Sequence, residues 1–186
     1  MNFEISEEHA RIRDAVREFA EEEIAPGAAE REREERFPRE VLAGLAEMGV
    51  LGMMVPEQYG GAGADALSLV LALEELSRVC ASTAVIVSVN NSVFCYPLWK
   101  FGSEEQKKTI LTEVASGRVL GAYALTEPQS GSDAANQKTR AVRDGARRAR
   151  ARLPSKLLRS SRRATPSCPR ATRCAIQEPL RRRESR

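Results

Sequence analysis

Long apolar runs are missing from this sequence of 186 residues. The longest candidate, residues 81–98, is interrupted by Asn90, Asn91 and Pro97, which makes it a poor membrane-spanning helix. The opening residues, Met-Asn-Phe-Glu, lead into an acidic stretch that does not resemble a secretory signal peptide. From these features we expect a cytoplasmic protein with no membrane partner.

Metal-ligand patterns are also scarce. Histidine occurs once, at His9, and the four cysteines include no pair with the spacing Cys-x-x-Cys. Cys80 and Cys95 lie in apolar stretches, where a thiol usually packs as a small hydrophobic group. The sequence therefore predicts no metal site.

Charge is distributed very unevenly along the chain. Residues 1–145 carry 15 basic and 24 acidic side chains, a formal charge of −9, whereas residues 146–186 carry 14 basic and 2 acidic ones, a charge of +12. The basic segment contains no Phe, Tyr, Trp or Val. Because it cannot bury enough apolar surface to offset the entropy of ordering, we expect residues 146–186 to form a disordered tail.

The first 117 residues show the apolar spacing of helices. Ser6, Asp65 and Ser103 each precede such a stretch and can cap a helix, and Gln106 lies where a capping box with Ser103 needs it. We predict a mainly α fold with a helical domain over residues 1–117.

Two details of that domain lead to separate predictions. Pro26 and Gly27 are typical of a helix end, so the first helix is predicted to stop there. Another helix, started by Ser82 or Thr83, has its apolar pattern interrupted by the polar residues 90–92. Those polar side chains either bond inside the helical domain or form the wall of a ligand channel.

The periodicity changes to that of strands after Val119. Leu120 to Thr126 is predicted as one strand and Lys138 to Arg143 as another, and Asp144-Gly145 is typical of a hairpin turn. The alternation stops after this turn, so we expect no second hairpin strand. Residues 118–145 are therefore predicted to be the beginning of a β domain.

One stretch demands a chemical explanation, residues 123–133, YALTEPQSGSD, termed the signature segment below. Pro128 ends the predicted strand, and Gly131 lets a ligand come close to the backbone. The hydroxyls of Ser130 and Ser132 and the exposed N–H groups of such a turn suit a phosphate or the edge of a flavin. The alternative is an ordinary solvated turn.

Five segments in order resemble the acyl-CoA dehydrogenase family. They are VPEQYGGAGAD from Val55, LEELSR from Leu73, SVNNS from Ser88, FGSEEQKK from Phe101 and the signature segment from Tyr123. The last resembles the flavin signature of the family, in which Ala usually stands at the position of Ser130. The resemblance covers residues 1–145.

The resemblance implies an enzyme that uses FAD to dehydrogenate acyl-CoA thioesters between the α and β carbons, and SVNNS favours short acyl groups. It also implies a homotetramer that passes electrons to an electron-transferring flavoprotein. Tyr123, Leu125 and Thr126 would line the isoalloxazine ring, while Gly131 and Ser132 would lie beside the ribityl-phosphate portion. Ser132 would also reach the acyl-CoA, and Asn91 would help to wall the acyl pocket.

Residues 146–186 depart from the family pattern. The family continues its β domain with a Trp-Ile-Thr-like flavin segment, and its catalytic carboxylate lies in a C-terminal helical domain. This sequence contains neither, so we expect a truncated, inactive fragment with no catalytic residue. We hypothesise that residues 146–186 are an out-of-frame translation that begins near Gly145.

Two other functions stay open. In the first alternative, the chain is a non-catalytic helical module whose basic tail binds nucleic acid without specificity. In the second, it is an orphan helical domain that binds acyl-CoA or caps another subunit. The tail lacks aromatic side chains for base stacking, which argues against specific nucleic-acid recognition.

Overall fold

The computed structural model of the chain describes residues 4–143 and 149–152. These residues fall into two compact units, one ending at Ala122 and one beginning at Tyr123. Apart from residues 149–152, the predicted disordered tail lies outside the described residues. Within the described ranges, no helix is both long and apolar enough to cross a membrane.

The first unit is built from helices, which confirms the prediction of a mainly α fold. They are α1 (Glu7–Phe19), α2 (Ala25–Arg33), α3 (Arg39–Glu47), α4 (Ala66–Val79), α5 (Ala81–Val89), α6 (Tyr96–Phe101), α7 (Glu104–Gln106) and α8 (Thr112–Ala115). The π-helical turns Ala20–Ile24, Asn90–Cys95 and Lys107–Leu111 join successive helices, and Val50–Gly52 and Glu57–Tyr59 are 3₁₀ turns.

The three predicted helix caps are present. The side chain of Ser6 accepts a hydrogen bond from the N–H of His9 at 3.2 Å, and Asp65 accepts one from the N–H of Ser68 at 2.8 Å. Ser103 and Gln106 exchange the two bonds of a capping box. Local polar chemistry therefore determines where α1, α4 and α7 begin.

The predicted end of the first helix at Pro26-Gly27 is wrong. The π-helical turn Ala20–Ile24 carries the chain on from α1, and Pro26 lies in the first turn of α2. Proline donates no N–H to the preceding turn, but its fixed φ suits the first turn of α2, so the chain stays helical through this position.

Apolar side chains from α1, α3, α4 and α5 form the main core. Examples are Val16, Leu45, Leu76 and Val87, each at most 2% exposed. A second cluster joins residues of the later helices to Tyr59. Full burial of each such aliphatic side chain stabilises the fold by about 1.5–3 kcal/mol.

An ion pair with a buried carboxylate links α1 to α4. Glu75 is 5% exposed, and its carboxylate accepts hydrogen bonds from Arg17 at 2.6 Å and from Arg78 at 3.3 Å. The hydrogen bond from Arg17 lowers the pKa of Glu75 and raises that of Arg17. The pair is satisfied inside the unit and offers no free group for a ligand.

The second unit has little regular structure. The predicted strand from Leu120 to Thr126 is wrong, since this stretch has no regular secondary structure. A strand requires a neighbour that takes up its N–H and C=O groups, and the described residues supply none for it.

A short hairpin is present farther along. The strands β1 (Arg140–Arg143) and β2 (Ala149–Arg152) pair antiparallel, with Arg140 opposite Arg152. Strand β1 lies within the strand predicted over residues 138–143, and β2 lies where the sequence analysis expected no second strand. The sequence of residues 149–152, Ala-Arg-Ala-Arg, does alternate with the period of a strand.

Candidate functional site

The signature segment contains a tight turn. The N–H of Glu127 donates to the carbonyl of Ser130 at 2.8 Å, and the N–H of Ser130 donates back to the carbonyl of Glu127 at 3.0 Å. Ser130 is 2% exposed, and its hydroxyl donates to the carbonyl of Asp133. The small hydroxyl side chain of Ser130 thus closes the turn and does not face a ligand.

The carboxylate of Glu127 anchors this turn to the residues that follow it. It accepts the N–H of Lys138 at 2.9 Å and that of Thr139 at 2.8 Å, as well as a bond from the side chain of Gln129. The bonds from Thr139 and from the N–H of Lys138 lower the pKa of Glu127 to about 2. Glu127 is therefore ionised and fully engaged in structure, which does not suit the task of removing a substrate proton.

The residues predicted to contact a flavin lie in and beside this turn, and their side-chain polar groups make no hydrogen bond within the described residues. Tyr123 is 54% exposed, Leu125 is half-buried, and Thr126 and Ser132 are exposed. Within the described residues, the Thr126 and Ser132 hydroxyls have no hydrogen-bond partner in the fold. The second unit thus brings these side chains into one short stretch and leaves them free to bind.

Gly131 leaves open space beside the turn. A Cβ atom placed on it would meet only Cγ2 of Thr126, at 3.9 Å, which is an ordinary contact. The fold of this unit therefore does not itself require glycine at this position. A ligand that approaches the backbone closely would require glycine there.

Asn91, the predicted acyl-pocket residue, lies in the helical unit and is 1% exposed. Its amide nitrogen donates to the carbonyls of Val50 at 2.9 Å and Val87 at 3.0 Å, while its Oδ1 is buried with no partner among the described residues. The donors are therefore bonded inside the domain, as one of the two sequence alternatives expects. Contact of Asn91 with a substrate stays a prediction.

Asn90 also bonds inside the helical domain, as the same sequence alternative expects, but its partners were not predicted. Its Nδ2 donates to the carbonyl of Leu51 at 2.7 Å, and its Oδ1 accepts the N–H of Gly121 at 2.9 Å. Phe94 packs so tightly on Gly121 that a Cβ there would stand 2.2 Å from the ring. Asn90 therefore fixes the chain two residues before Tyr123. The polar residues inside an apolar helix were the available sign of this brace.

Metal chemistry has no evident place in the described ranges. Across residues 4–143 and 149–152, no three His, Cys, Asp or Glu side chains lie together in a way that could hold a metal ion. Cys95 is buried, and burial raises the pKa of its thiol to about 12. That thiol is therefore protonated at neutral pH and unsuited to nucleophilic attack.

Comparison with known proteins adds the family context. The profile of the acyl-CoA dehydrogenase N-terminal domain matches residues 6–118. The chain is 43% identical over 145 residues to the probable acyl-CoA dehydrogenase YngJ of Bacillus subtilis (strain 168). The aligned residues cover 78% of this chain and 38% of that protein. It is 44% identical over 145 residues to the short-chain specific acyl-CoA dehydrogenase of Clostridium acetobutylicum, and the alignment again covers 78% of this chain and 38% of the relative.

A solved structure shows the same similarity in three dimensions. Butyryl-CoA dehydrogenase from Megasphaera elsdenii superposes with a TM-score of 0.75 at 33% sequence identity, covering 81% of this chain and 40% of that one. The chain spans about two-fifths of the length of the curated relatives that it matches. The matched part includes the helical unit.

Proposed function

Because the chain belongs to the acyl-CoA dehydrogenase family through its N-terminal domain, we propose that it supplies part of a flavin site for the α,β-dehydrogenation of short-chain acyl-CoA thioesters. The observation that carries this proposal is the open turn of the signature segment, which Glu127 and Ser130 hold by internal hydrogen bonds. The side chains expected to contact FAD stay exposed around it.

Each predicted residue has a specific task in this proposal. Tyr123 and Leu125 provide apolar surface for the isoalloxazine ring, and the Thr126 hydroxyl forms a hydrogen bond at its edge. Gly131 and Ser132 offer backbone N–H groups and a hydroxyl to the ribityl-phosphate portion. Bound FAD supplies the oxidation of the Cα–Cβ bond of the thioester, a task that no side chain performs.

Substrate and partners follow from the family. We propose that Ser132 also reaches the acyl-CoA and that Asn91 contributes to the wall of the acyl pocket. An electron-transferring flavoprotein is the proposed electron acceptor, and a homotetramer the proposed assembly.

These 186 residues alone are proposed to have no dehydrogenase activity. Abstraction of an α-proton requires a carboxylate that is free to accept it. Glu127, the buried carboxylate of the signature segment, has its oxygens occupied by the Lys138 and Thr139 N–H groups. No residue is therefore assigned a catalytic role.

Flavin spectroscopy tests this proposal. The purified chain is mixed with FAD, quenching of flavin fluorescence is recorded, and butyryl-CoA is then added. We expect quenching that Gly131→Val weakens and that the control Ala124→Val, which introduces the same side chain at an exposed neighbouring position, leaves intact. Butyryl-CoA should not bleach the visible flavin absorbance. Equal quenching in both variants would refute the flavin assignment, and bleaching would refute the lack of activity.

The origin of residues 146–186 has its own test. If they are an out-of-frame translation, the coding sequence downstream of the Gly145 codon encodes a Trp-Ile-Thr-like segment in one of the other two frames. Resequencing of this region reveals the shift, whereas an intact frame with no such segment contradicts the hypothesis.

Nonspecific nucleic-acid binding is the second candidate function, and the +12 charge of residues 146–186 is the observation that favours it. Binding of this kind releases counterions, so RNA affinity should fall by about 100-fold or more between roughly 50 and 200 mM salt. Fluorescence anisotropy with two unrelated RNA sequences measures this fall. A strong preference for one sequence at high salt would contradict the nonspecific character.

A further inference from the structure

A serine, a histidine and an aspartate side chain meet at the start of α1. Ser6 is the N-cap of this helix, and its Oγ lies 2.7 Å from Nδ1 of His9. Nε2 of His9 lies 3.1 Å from a carboxylate oxygen of Asp65, the N-cap of α4. A nucleophile, a base within hydrogen-bond distance and a third group that orients the base are the parts of a nucleophilic site.

The charge of Asp65 determines which nitrogen of His9 carries the proton. Hydrogen bonds from the N–H and the hydroxyl of Ser68 lower the pKa of Asp65 to about 2, so its carboxylate is ionised at neutral pH and can only accept. In the neutral imidazole, the proton therefore lies on Nε2 and Nδ1 keeps its lone pair. Nδ1 accepts the O–H of Ser6 and is placed to take up that proton.

The hydroxyl of Ser6 keeps one lone pair for attack on a substrate. A hydroxyl has one proton and two lone pairs. Its proton points to Nδ1 of His9, and one lone pair accepts the N–H of His9 at 3.2 Å. The other lone pair has no partner among the described residues, and Ser6 is exposed, so a substrate can approach it.

Ser103 shows that a helix cap does not need this arrangement. It is also an exposed N-cap, and its hydroxyl accepts the N–H of Gln106 at 3.3 Å. The residue three positions on is an amide, which cannot take up a proton at neutral pH, and His9 is the only histidine of the sequence. Ser103 is therefore a matched control, a capping serine without a base.

We propose that Ser6, His9 and Asp65 form a nucleophilic site that hydrolyses small neutral esters, an activity separate from dehydrogenation. Ser6 Oγ bonds to the carbonyl carbon while its proton passes to Nδ1 of His9. The bond to the alcohol oxygen breaks, and the alcohol leaves with that proton. Water then attacks the acyl-Ser6 ester and gives a proton to Nδ1, which returns it to Ser6 Oγ as the carboxylic acid leaves.

The surroundings of Ser6 favour an uncharged substrate. Glu7 and Glu8 follow it directly, and both are exposed. Their negative charge disfavours the approach of anionic esters. Asp65 does not touch the substrate in this scheme and is a positioning residue for the ring of His9.

Diisopropyl fluorophosphate is a neutral probe for such a serine. The full chain is treated with it, and modified peptides are followed over time by mass spectrometry. The Ser6 oxygen bonds to phosphorus as fluoride leaves and the proton passes to His9. We expect Ser6 to be modified at least about tenfold faster than Ser103. Equal rates at the two serines, or no modification of Ser6, would overturn the proposal.

Three variants separate chemistry from capping. His9→Gln should slow the modification of Ser6 by about 100-fold or more, because the base is lost. Asp65→Asn keeps a capping oxygen for α4 but removes the charge, and it should slow the reaction by about tenfold, since this carboxylate is 59% exposed. Asp14→Asn, the same change at an exposed position of α1, should react like the parent chain. Circular dichroism should show equal helix content in all three. An unchanged rate in His9→Gln or in Asp65→Asn would contradict the assigned roles.

Hydrolysis of p-nitrophenyl acetate tests turnover itself. The parent chain should release a burst of p-nitrophenolate and carry an acetyl group on Ser6. Ser6→Asn keeps a capping oxygen but has no hydroxyl, so it should lose the burst, whereas Ser103→Asn should retain it. A burst that persists in Ser6→Asn would show that the reaction does not use Ser6.

Discussion

Asn90 and the signature turn use polar groups in opposite ways. In the helical unit, Asn90 is fully buried, and its amide bonds to the backbone at Leu51 and Gly121. In the second unit, Thr126 and Ser132 are exposed, and only the groups that shape the turn are bonded internally. Polar groups that serve stability are thus bonded inside the fold, whereas those proposed to serve binding are left open.

The largest expected effect is a loss of stability when the buried side-chain amide of Asn90 is removed. Asn90→Ala should lower the free energy of unfolding by about 2–4 kcal/mol, because it leaves the Leu51 carbonyl and the Gly121 N–H unpaired and opens a cavity. Urea unfolding followed by circular dichroism measures the loss. Ser92→Ala, in the same π-helical turn but exposed, is the control and should change stability by no more than about 0.5 kcal/mol. Equal stability of the two variants would contradict the role of Asn90 as a brace.

An effect of intermediate size is expected when the same substitution, glycine to alanine, is made in each of the two units. Gly117 has φ of +71°, and a Cβ there would stand 2.3 Å from that of Ala46, so Gly117→Ala should cost about 1–3 kcal/mol. Gly131→Ala meets only an ordinary contact and should cost no more than about 0.5 kcal/mol. Thermal unfolding of both variants measures the difference. A comparable loss in Gly131→Ala would mean that the fold itself requires this glycine.

These two glycines also show which structural features the sequence alone can and cannot predict. Both are equally visible in the sequence, but only the structure distinguishes the one that packing requires from the one that it does not. The caps at Ser6 and Asp65 were predictable because a side chain and an N–H group three residues away decide them. Burial of Arg31 was not, because it depends on the space that Gly27 leaves.

The site was predictable in part for the same reason. The location proposed for the flavin site follows from the composition of the signature segment, since glycine and hydroxyl residues cluster there. The anchoring by Glu127 was not predictable, because its partners, Lys138 and Thr139, lie 11 and 12 residues farther along the chain. The strand expected for Leu120–Thr126 failed because strand pairing depends on residues distant in sequence.

The smallest expected effect is local and concerns Glu127. Its pKa is lowered from about 4.5 to about 2 in the fold, so its contribution to stability is present above pH 4.5 and is lost as the pH falls towards 2. The amide resonances of Lys138 and Thr139 should therefore stay constant from pH 7 down to about pH 3. Two-dimensional NMR at successive pH values records them. Titration with a midpoint near 4.5 in the parent chain, unlike a flat profile in Glu127→Gln, would show that the anchor is absent.

The most direct test of the central claim is a map of where FAD contacts the chain. Amide resonances of the ¹⁵N-labelled full chain are followed during titration with FAD, at constant ionic strength and with Gly131→Val in parallel. We expect saturable shifts at Thr126, Gly131 and Ser132 that Gly131→Val removes, while the resonances of Asn90 and Asn91 stay in place. Shifts that avoid the signature segment, or that persist unchanged in Gly131→Val, would contradict that claim.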